Sequence, residues 1–408
     1  MMKPAVRFQL SVMMFLEFFA WGAWFVTLGT FLNNNLSASG AESGQVFSTQ
    51  SWGAIIAPFI IGLVADRFIN AEKILGVLHI AGALLMYLMY KAGNVSEFYP
   101  YVLAYMILYM PTLALVNSVS FNQMSNPEKE FSIIRVFGTV GWIAAGLMIS
   151  YLFHWDSEQA TKEGLLKNTF LLSGSASLLL GLFSFTLPKT PPKARGAKVT
   201  ISDILGLDAL KLLRDKNFLV FFIASVLICI PLAFYYQNAN AFLSNIGVSN
   251  PTGKMTIGQA SEVFFLLLLP VFFKRFGFKA TILVGMLAWA LRYVLFAYGN
   301  AGDWAWMLLI GIALHGICYD FFFVSGQIYT DSKAGEQHKS AAQGLITLAT
   351  YGLGMLIGFA VAGKITDAYK AADGGFDYSM IWIIPAGIAF AVFLLFAFLF
   401  KNEKAQHT

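Results

Sequence analysis

Met307–Ile328, MLLIGIALHGICYDFFFVSGQI, is an apolar run that carries a histidine at position 315 and an aspartate at position 320. A helix needs about 20 predominantly apolar residues to cross a bilayer, and this run supplies them. A charged carboxylate at mid-membrane costs roughly 2.5 to 3.5 kcal/mol even on the lenient insertion scale, so an aspartate there is expected to face a cavity and to mark an ion or substrate path. The rest of the chain is expected to be arranged around that cavity.

Composition agrees with a membrane setting. Of 408 residues, 58% are hydrophobic and 12% charged, with a mean hydropathy of +0.67. Soluble domains carry about 25% charged residues, so the chain reads as an all-α integral membrane protein. The net charge of +5 comes from basic residues dispersed in short loops rather than gathered on one face, and no nucleic-acid partner is expected. Cys229 and Cys318 lie inside apolar runs, where a thiol behaves as a small hydrophobe; no disulfide framework or metal site is implied. The opening MMKPAVRFQLSVMMFLEFFAWGAWFVTLGTFL has a basic flank, but its apolar core is too long for a signal peptide, and it reads as a retained first span.

Apolar runs of spanning length number about twelve. They fall near 8–32, 44–66, 72–91, 98–122, 132–153 and 166–187, then near 217–245, 256–274, 279–298, 304–329, 340–363 and 379–400. Between the sets lies PKTPPKARGAKVT, rich in Pro and charge. The expected organisation is a six-helix half over 1–187, a cytoplasmic connector over 188–216, a second six-helix half over 217–400 and a cytoplasmic tail over 401–408. With both ends in the cytoplasm, roughly 20 Lys and Arg fall on the inner side against about 6 on the outer, as the positive-inside rule prefers. The halves resemble each other: Asp66–Asn94 and Lys274–Asn300 both begin with a charged residue and Arg-Phe, continue as a span and end in Gly-Asn, while the first spans end in TFLNN and AFLSN. Such repeats are common in carriers that hold a substrate near the midplane.

Positions three or four apart share a helix face, which sorts the polar residues inside the spans. Glu17, Trp21, Trp24 and Leu28 form one stripe, expected to line the cavity or a helix contact. Arg135, Thr139 and Trp142 form another, with Gly138 and Gly141 beside them to admit a neighbouring helix; Arg135 either joins the site or snorkels to the interface. FYYQNANAF places Tyr235, Tyr236, Gln237, Asn238 and Asn240 in close succession, suited to a flat polar heterocycle or a sugar, or equally to the polar fringe of a helix end. Gln259 and Glu262 are one turn apart, as are His315 and Tyr319, whereas Asp320 lies about 100° round from Tyr319 and stacks with Gly316 and Phe323. Glu262, Asp320 and His315 form the expected proton path, with Glu17 as a further acid. Arg292 is the obvious partner for a carboxylate; pairing with Asp320 would leave Glu262 to carry coupling alone. No phosphate-cradling loop, metal-ligand spacing or nucleophile motif is present, so neither an enzyme nor a cofactor is expected.

The loop GLVADRFINAEK, with its Gly and Asp-Arg pair, resembles the signature of the major facilitator superfamily, although its later basic positions are reduced to Lys73. A more specific resemblance runs from the first span to the eleventh, in order: EFFAWGAWFVTLGTF, LYMPTLALVNSVSF, IIRVFGTVGW, LGLDALKLLRDK, QASEVFFLLLLPVFFKRFG, AWALRYVLFAYG and CYDFFFVSG. These are similar to the nucleoside:proton symporter family, the bacterial nucleoside permeases.

The resemblance implies a twelve-helix major facilitator fold of two six-helix halves. The protein would be a monomer of the bacterial inner membrane that takes up nucleosides with protons by alternating access. It implies a substrate site at Arg135, Thr139, Trp142, Gln259, Glu262, Tyr319 and Asp320, with carboxylates and Gln259 on ribose hydroxyls and aromatic rings on the base. Three departures stand out: a family glutamine is Glu17, a tyrosine is His315, and amide positions in the seventh span are Ala233 and Tyr236, leaving Asn238 and Asn240 to take over amide contacts. The alternative is a proton-coupled carrier of a sugar, amino sugar or cell-wall fragment on the same scaffold.

Overall fold

The computed structural model describes residues 2–60, 68–125, 127–192, 207–334, 339–371 and 375–401. Asp66 and Arg67 of the loop signature, residues 193–206 of the connector and residues 402–408 of the tail fall outside these. The chain is helical and spans the membrane with α1 (Pro4–Asn35), α2 (Gly40–Ile60), α3 (Ala71–Lys91), α4 (Val95–Asn122), α5 (Glu130–Leu152) and α6 (Leu165–Ser184), then α7 (Lys216–Asn245), α8 (251–276), α9 (278–298), α10 (Ala305–Ala334), α11 (Ala341–Ala368) and α12 (Tyr378–Leu399). Helices α8 and α9 run together through Pro251–Tyr298 and are parted at Gly277, whose φ of 77° and ψ of 176° take the chain out of the helix. Such a positive φ favours glycine.

Local chemistry marks several helix ends. The Asn94 side chain accepts from Glu97 N at 2.9 Å, while Glu97 Oε2 accepts from Gly93 N at 2.9 Å, a reciprocal cap at the start of α4. Asp215 accepts from Phe218 N at 2.9 Å and Asp377 from Met380 N at 3.2 Å, starting α7 and α12. Helix α8 begins at Pro251, earlier than its apolar run suggests. Its first N–H groups are taken by distant residues: Thr252 N donates to Asp156 Oδ2 at 3.0 Å, and Gly253 N to Ser150 Oγ at 2.7 Å.

The chain forms two compact units, residues 1–200 with 247–256, and residues 201–246 with 257–408. In the first, α1 packs on α5 and α6, α3 on α4 and α6, and α2 on α4. Lipid supplies no hydrophobic drive between helices, so close backbone approach carries the packing. A methyl group on Gly141 would lie 2.2 Å from the Phe15 carbonyl oxygen, and one on Gly22 would lie 3.0 Å from the Trp142 ring. Hence α5 presses directly on α1, the neighbour that the glycines admit. In the second unit α7 packs on α11 and α12, and Gly316 brings α10 onto α8: a Cβ there would stand 2.5 Å from the Ser261 carbonyl carbon.

Helix α10 is not uniform. It runs through Leu314, whose N donates to the Ile310 carbonyl at 2.9 Å and whose carbonyl accepts from Cys318 N at 3.0 Å, and widens to a π-helical turn over Asp320–Val324. Such turns insert locally into α-helices, frequently at functional sites. The wider turn shifts the faces that follow Asp320, so the 3.6-residue reckoning that stacks Asp320 with Phe323 does not hold through it.

Candidate substrate and proton site

In the second unit the site is built where α7, α8, α9, α10 and α11 bring polar groups together. Arg292 on α9 is wholly buried, and its guanidinium carbon lies 3.6 Å from the centre of the Tyr235 ring on α7. The His315 ring stacks on the same tyrosine, with centroids 5.5 Å apart at 25°. Arg292 Nη1 is 3.1 Å from His315 Nδ1. Guanidinium is only a donor, so Nδ1 accepts, and the hydrogen of the neutral imidazole sits on Nε2. That nitrogen faces Glu262 Oε2 at 3.9 Å. The spacing holds because Gly316 N donates to Ser261 Oγ at 3.1 Å, fixing α10 one residue from His315 against α8 one residue from Glu262.

Gln259 stands one turn before Glu262, and both are half-buried. Tyr319 is four residues beyond His315, with ring centroids 5.7 Å apart, and its hydroxyl is 2.6 Å from that of Tyr351 on α11. Tyr236 is half-buried beside Tyr235, and Asn240, one turn further along α7, is buried. Asn238 turns to α11, accepting from the Thr366 hydroxyl at 3.3 Å. Asp320 is 1% exposed, and its Oδ2 meets no hydrogen-bonding partner among the described residues. Arg292 therefore serves His315 rather than Asp320, and the aspartate is not one half of a structural ion pair with that arginine.

In the first unit Arg135 is half-buried, and its guanidinium carbon lies 4.2 Å from the centre of the Phe18 ring. Gly138 permits this, since a methyl group there would lie 2.7 Å from Phe18 and 2.8 Å from Arg135 Nη1. Thr139 and Trp142 follow on the same helix, both half-buried. Trp142 meets Trp21 edge-on at 5.5 Å, and Trp21 meets Tyr109 at 5.4 Å, an aromatic shelf beside the arginine. Of the stripe on α1, Trp21 joins this shelf. Trp24 instead packs inside the unit against Tyr105 and Phe170, and Glu17 is wholly buried and paired with His79 on α3. Sequence reasoning missed His79, Tyr351 and the role of Tyr235; in the sequence His79 is a lone histidine in an apolar run.

The model of the nucleoside H+ symporter family matches residues 3–405. Among individual proteins, YegT of Escherichia coli (strain K12) is 44% identical over 98% of this chain and 95% of its own. The xanthosine permease of the same organism is 33% identical over 99% of each chain, and the nucleoside permease NupG is 32% identical over 98% of this chain and 97% of its own. The crystal structure of the nucleoside transporter NupG superposes with a TM-score of 0.86 at 29% identity, covering 98% of this chain and all of that one. The structure of the POT family transporter PepTSo shares the fold at a TM-score of 0.73 and 14% identity. The chain is a twelve-helix carrier of major facilitator fold and belongs to the nucleoside H+ symporter family.

Proposed function

We propose that this protein takes up nucleosides with protons across the bacterial inner membrane by alternating access, as a monomer with both termini in the cytoplasm. The observation that carries the reading is the Arg292–His315–Glu262 chain on its aromatic bed. A half-exposed carboxylate is offered to hydroxyl groups, a neutral imidazole N–H is aimed toward it, and tyrosine rings stand alongside. A vicinal diol donates two hydrogen bonds that a carboxylate can accept together, and a flat base stacks on rings, so ribose and base find complementary partners. Gln259, Glu262, His315, Tyr319, Tyr236 and Asn240 serve the substrate in the second unit, and Arg135, Thr139 and Trp142 in the first. Asp320, buried at the start of the π-helical turn, carries a coupling proton together with Glu262: a proton on either acid cancels a charge that the membrane interior disfavours, which ties loading to movement.

The test is uptake of labelled uridine and adenosine into proteoliposomes, with and without an inward proton gradient, challenged by excess ribose, disaccharides and amino sugars. Gradient-driven uptake that only nucleosides compete for is the expected result. Folded protein that moves no nucleoside, or whose uptake sugars abolish, would overturn the assignment.

A further inference from the structure

A second polar cluster lies in the first unit, built from four helices and separate from the acids of the second. Glu17 on α1 and Ser177 on α6 are wholly buried, Thr112 on α4 is 1% exposed and His79 on α3 is 2% exposed. His79 Nε2 is 2.8 Å from Glu17 Oε2, and His79 Nδ1 is 2.8 Å from Ser177 Oγ. The Thr112 hydroxyl is 2.6 Å from Glu17 Oε1 and 2.5 Å from the Tyr109 carbonyl oxygen. Tyr109 OH donates to the Glu17 backbone carbonyl at 2.9 Å.

Hydrogen counting restricts what this cluster can hold. In the arrangement that places the single Ser177 hydrogen on the His79 carbonyl at 3.1 Å, the Ser177 oxygen receives a hydrogen from Nδ1 at 2.8 Å. Nδ1 is then protonated, and one further proton occupies the Nε2–Oε2 axis, on the imidazole or on the carboxyl group. At the other oxygen, Thr112 has one hydrogen for two acceptors. With Oε1 bare, the hydroxyl turns to Glu17 and leaves the Tyr109 carbonyl without it. With a proton on Oε1, the carboxyl donates to Thr112, Thr112 donates to Tyr109, and every short contact in the cluster is a hydrogen bond. Rotation of one hydroxyl thus accommodates one additional proton.

We propose that Glu17 and His79 form a second proton-binding site, lodged in the first unit, that takes up one proton in each transport cycle. The loaded form is a carboxylic acid beside an imidazolium, with one net positive charge; release returns the proton to water and the Thr112 hydroxyl to Oε1. The other titratable or charged groups within reach are Tyr105 and Tyr109 on α4, both acted on by Glu17, and Arg135 on α5, which acts on Tyr109. Among the described residues helix α6 contributes hydroxyls, Ser177 to His79 and Ser173 to the Ala20 carbonyl at 2.6 Å. Glu17 begins the face that continues to Trp21 and the aromatic shelf beside Arg135, so loading is placed one helical turn from candidate substrate residues. The proposal rests on the symporter reading, and two measurements separate their fates.

The first measurement is the proton-to-uridine ratio from reversal potentials in proteoliposomes, for wild type, Glu17→Gln and His79→Gln. The expected result is one proton fewer per uridine in both variants, with uridine still bound. A Glu17→Gln carrier with the wild-type ratio overturns the proposal. The second measurement needs no transport: infrared difference spectra of purified protein across a pH step. A protonated-carboxyl band is expected in wild type, absent from Glu17→Gln and displaced in Thr112→Val, which removes the hydrogen-bond partner of Oε1 while keeping both titratable groups. If the band is unmoved in Thr112→Val, or no such band exists, the cluster is a fixed structural pair. Should wild type move no protons with uridine, the symport reading falls and the infrared result alone decides the proton site.

Discussion

Gly316→Ala probes how the second unit's site is held. The added methyl would sit 2.5 Å from the Ser261 carbonyl carbon, 2.6 Å from its oxygen and 2.7 Å from Glu262 N. All three are backbone atoms, so no side chain can swing aside. Carbon atoms rest at about 3.5 to 4.0 Å, so α10 must retreat from α8 by about 1 Å. The Gly316 N to Ser261 Oγ bond of 3.1 Å would stretch toward about 4 Å and cease to be a hydrogen bond. Strain of about 1 to 3 kcal/mol, with a lost bond of about 0.5 to 1.5, predicts destabilisation of roughly 2 to 4 kcal/mol. Binding suffers separately, because His315 and Glu262 flank the contact. Loss of one hydrogen bond to a charged group, about 1.5 to 3 kcal/mol, weakens uridine roughly tenfold to a hundredfold.

The assay is thermal unfolding of purified protein beside calorimetric uridine binding, with Gly387→Ala as control, since a methyl group there meets nothing within 4 Å. If Gly316→Ala unfolds with the control and binds uridine within a factor of two of wild type, the inferred clamp between α8 and α10 is wrong.

Three further outcomes follow from the geometry. Glu262→Gln should abolish accumulation against a gradient while uridine exchange persists, and counterflow beside net uptake separates the two. Arg135→Ala should reach the membrane in normal amount, since the guanidinium is half-buried over one ring, yet lose most uridine binding; surface quantification with a binding isotherm checks both. Asp156→Ala removes the acceptor for Thr252 N and should destabilise the start of α8 by about 1 kcal/mol, the usual worth of a helix cap, read as a lowered unfolding temperature.

The fold was legible because a bilayer imposes length on its helices. A run of about 20 apolar residues can do little else than cross it. Where the start of α8 departs from that reading, a distant partner is responsible. The start of α8 is set by Asp156 and Ser150, about a hundred residues away in sequence, whose side chains supply acceptors that no local motif announces. The π-helical turn at Asp320–Val324 likewise has no counterpart in a 3.6-residue pattern.

Polar residues in the spans follow the same division. Physical chemistry dictates that Glu17, Arg292 and Asp320 must find partners or carry function, but it does not name the partner. Charge alone matches Arg292 to Asp320. The structure instead gives Arg292 a neutral imidazole and the face of Tyr235, and gives Glu17 a histidine that the sequence pattern did not single out. Both arrangements use histidine as the intermediary between a charged group and the rest of its unit, and both thereby fix which ring nitrogen bears hydrogen. The consequence lies with Asp320. Arg292 reaches His315 through Nη1 at 3.1 Å, and Asp320 Oδ2 meets no hydrogen-bonding partner among the described residues, so the arginine that charge alone would assign to the aspartate is engaged elsewhere.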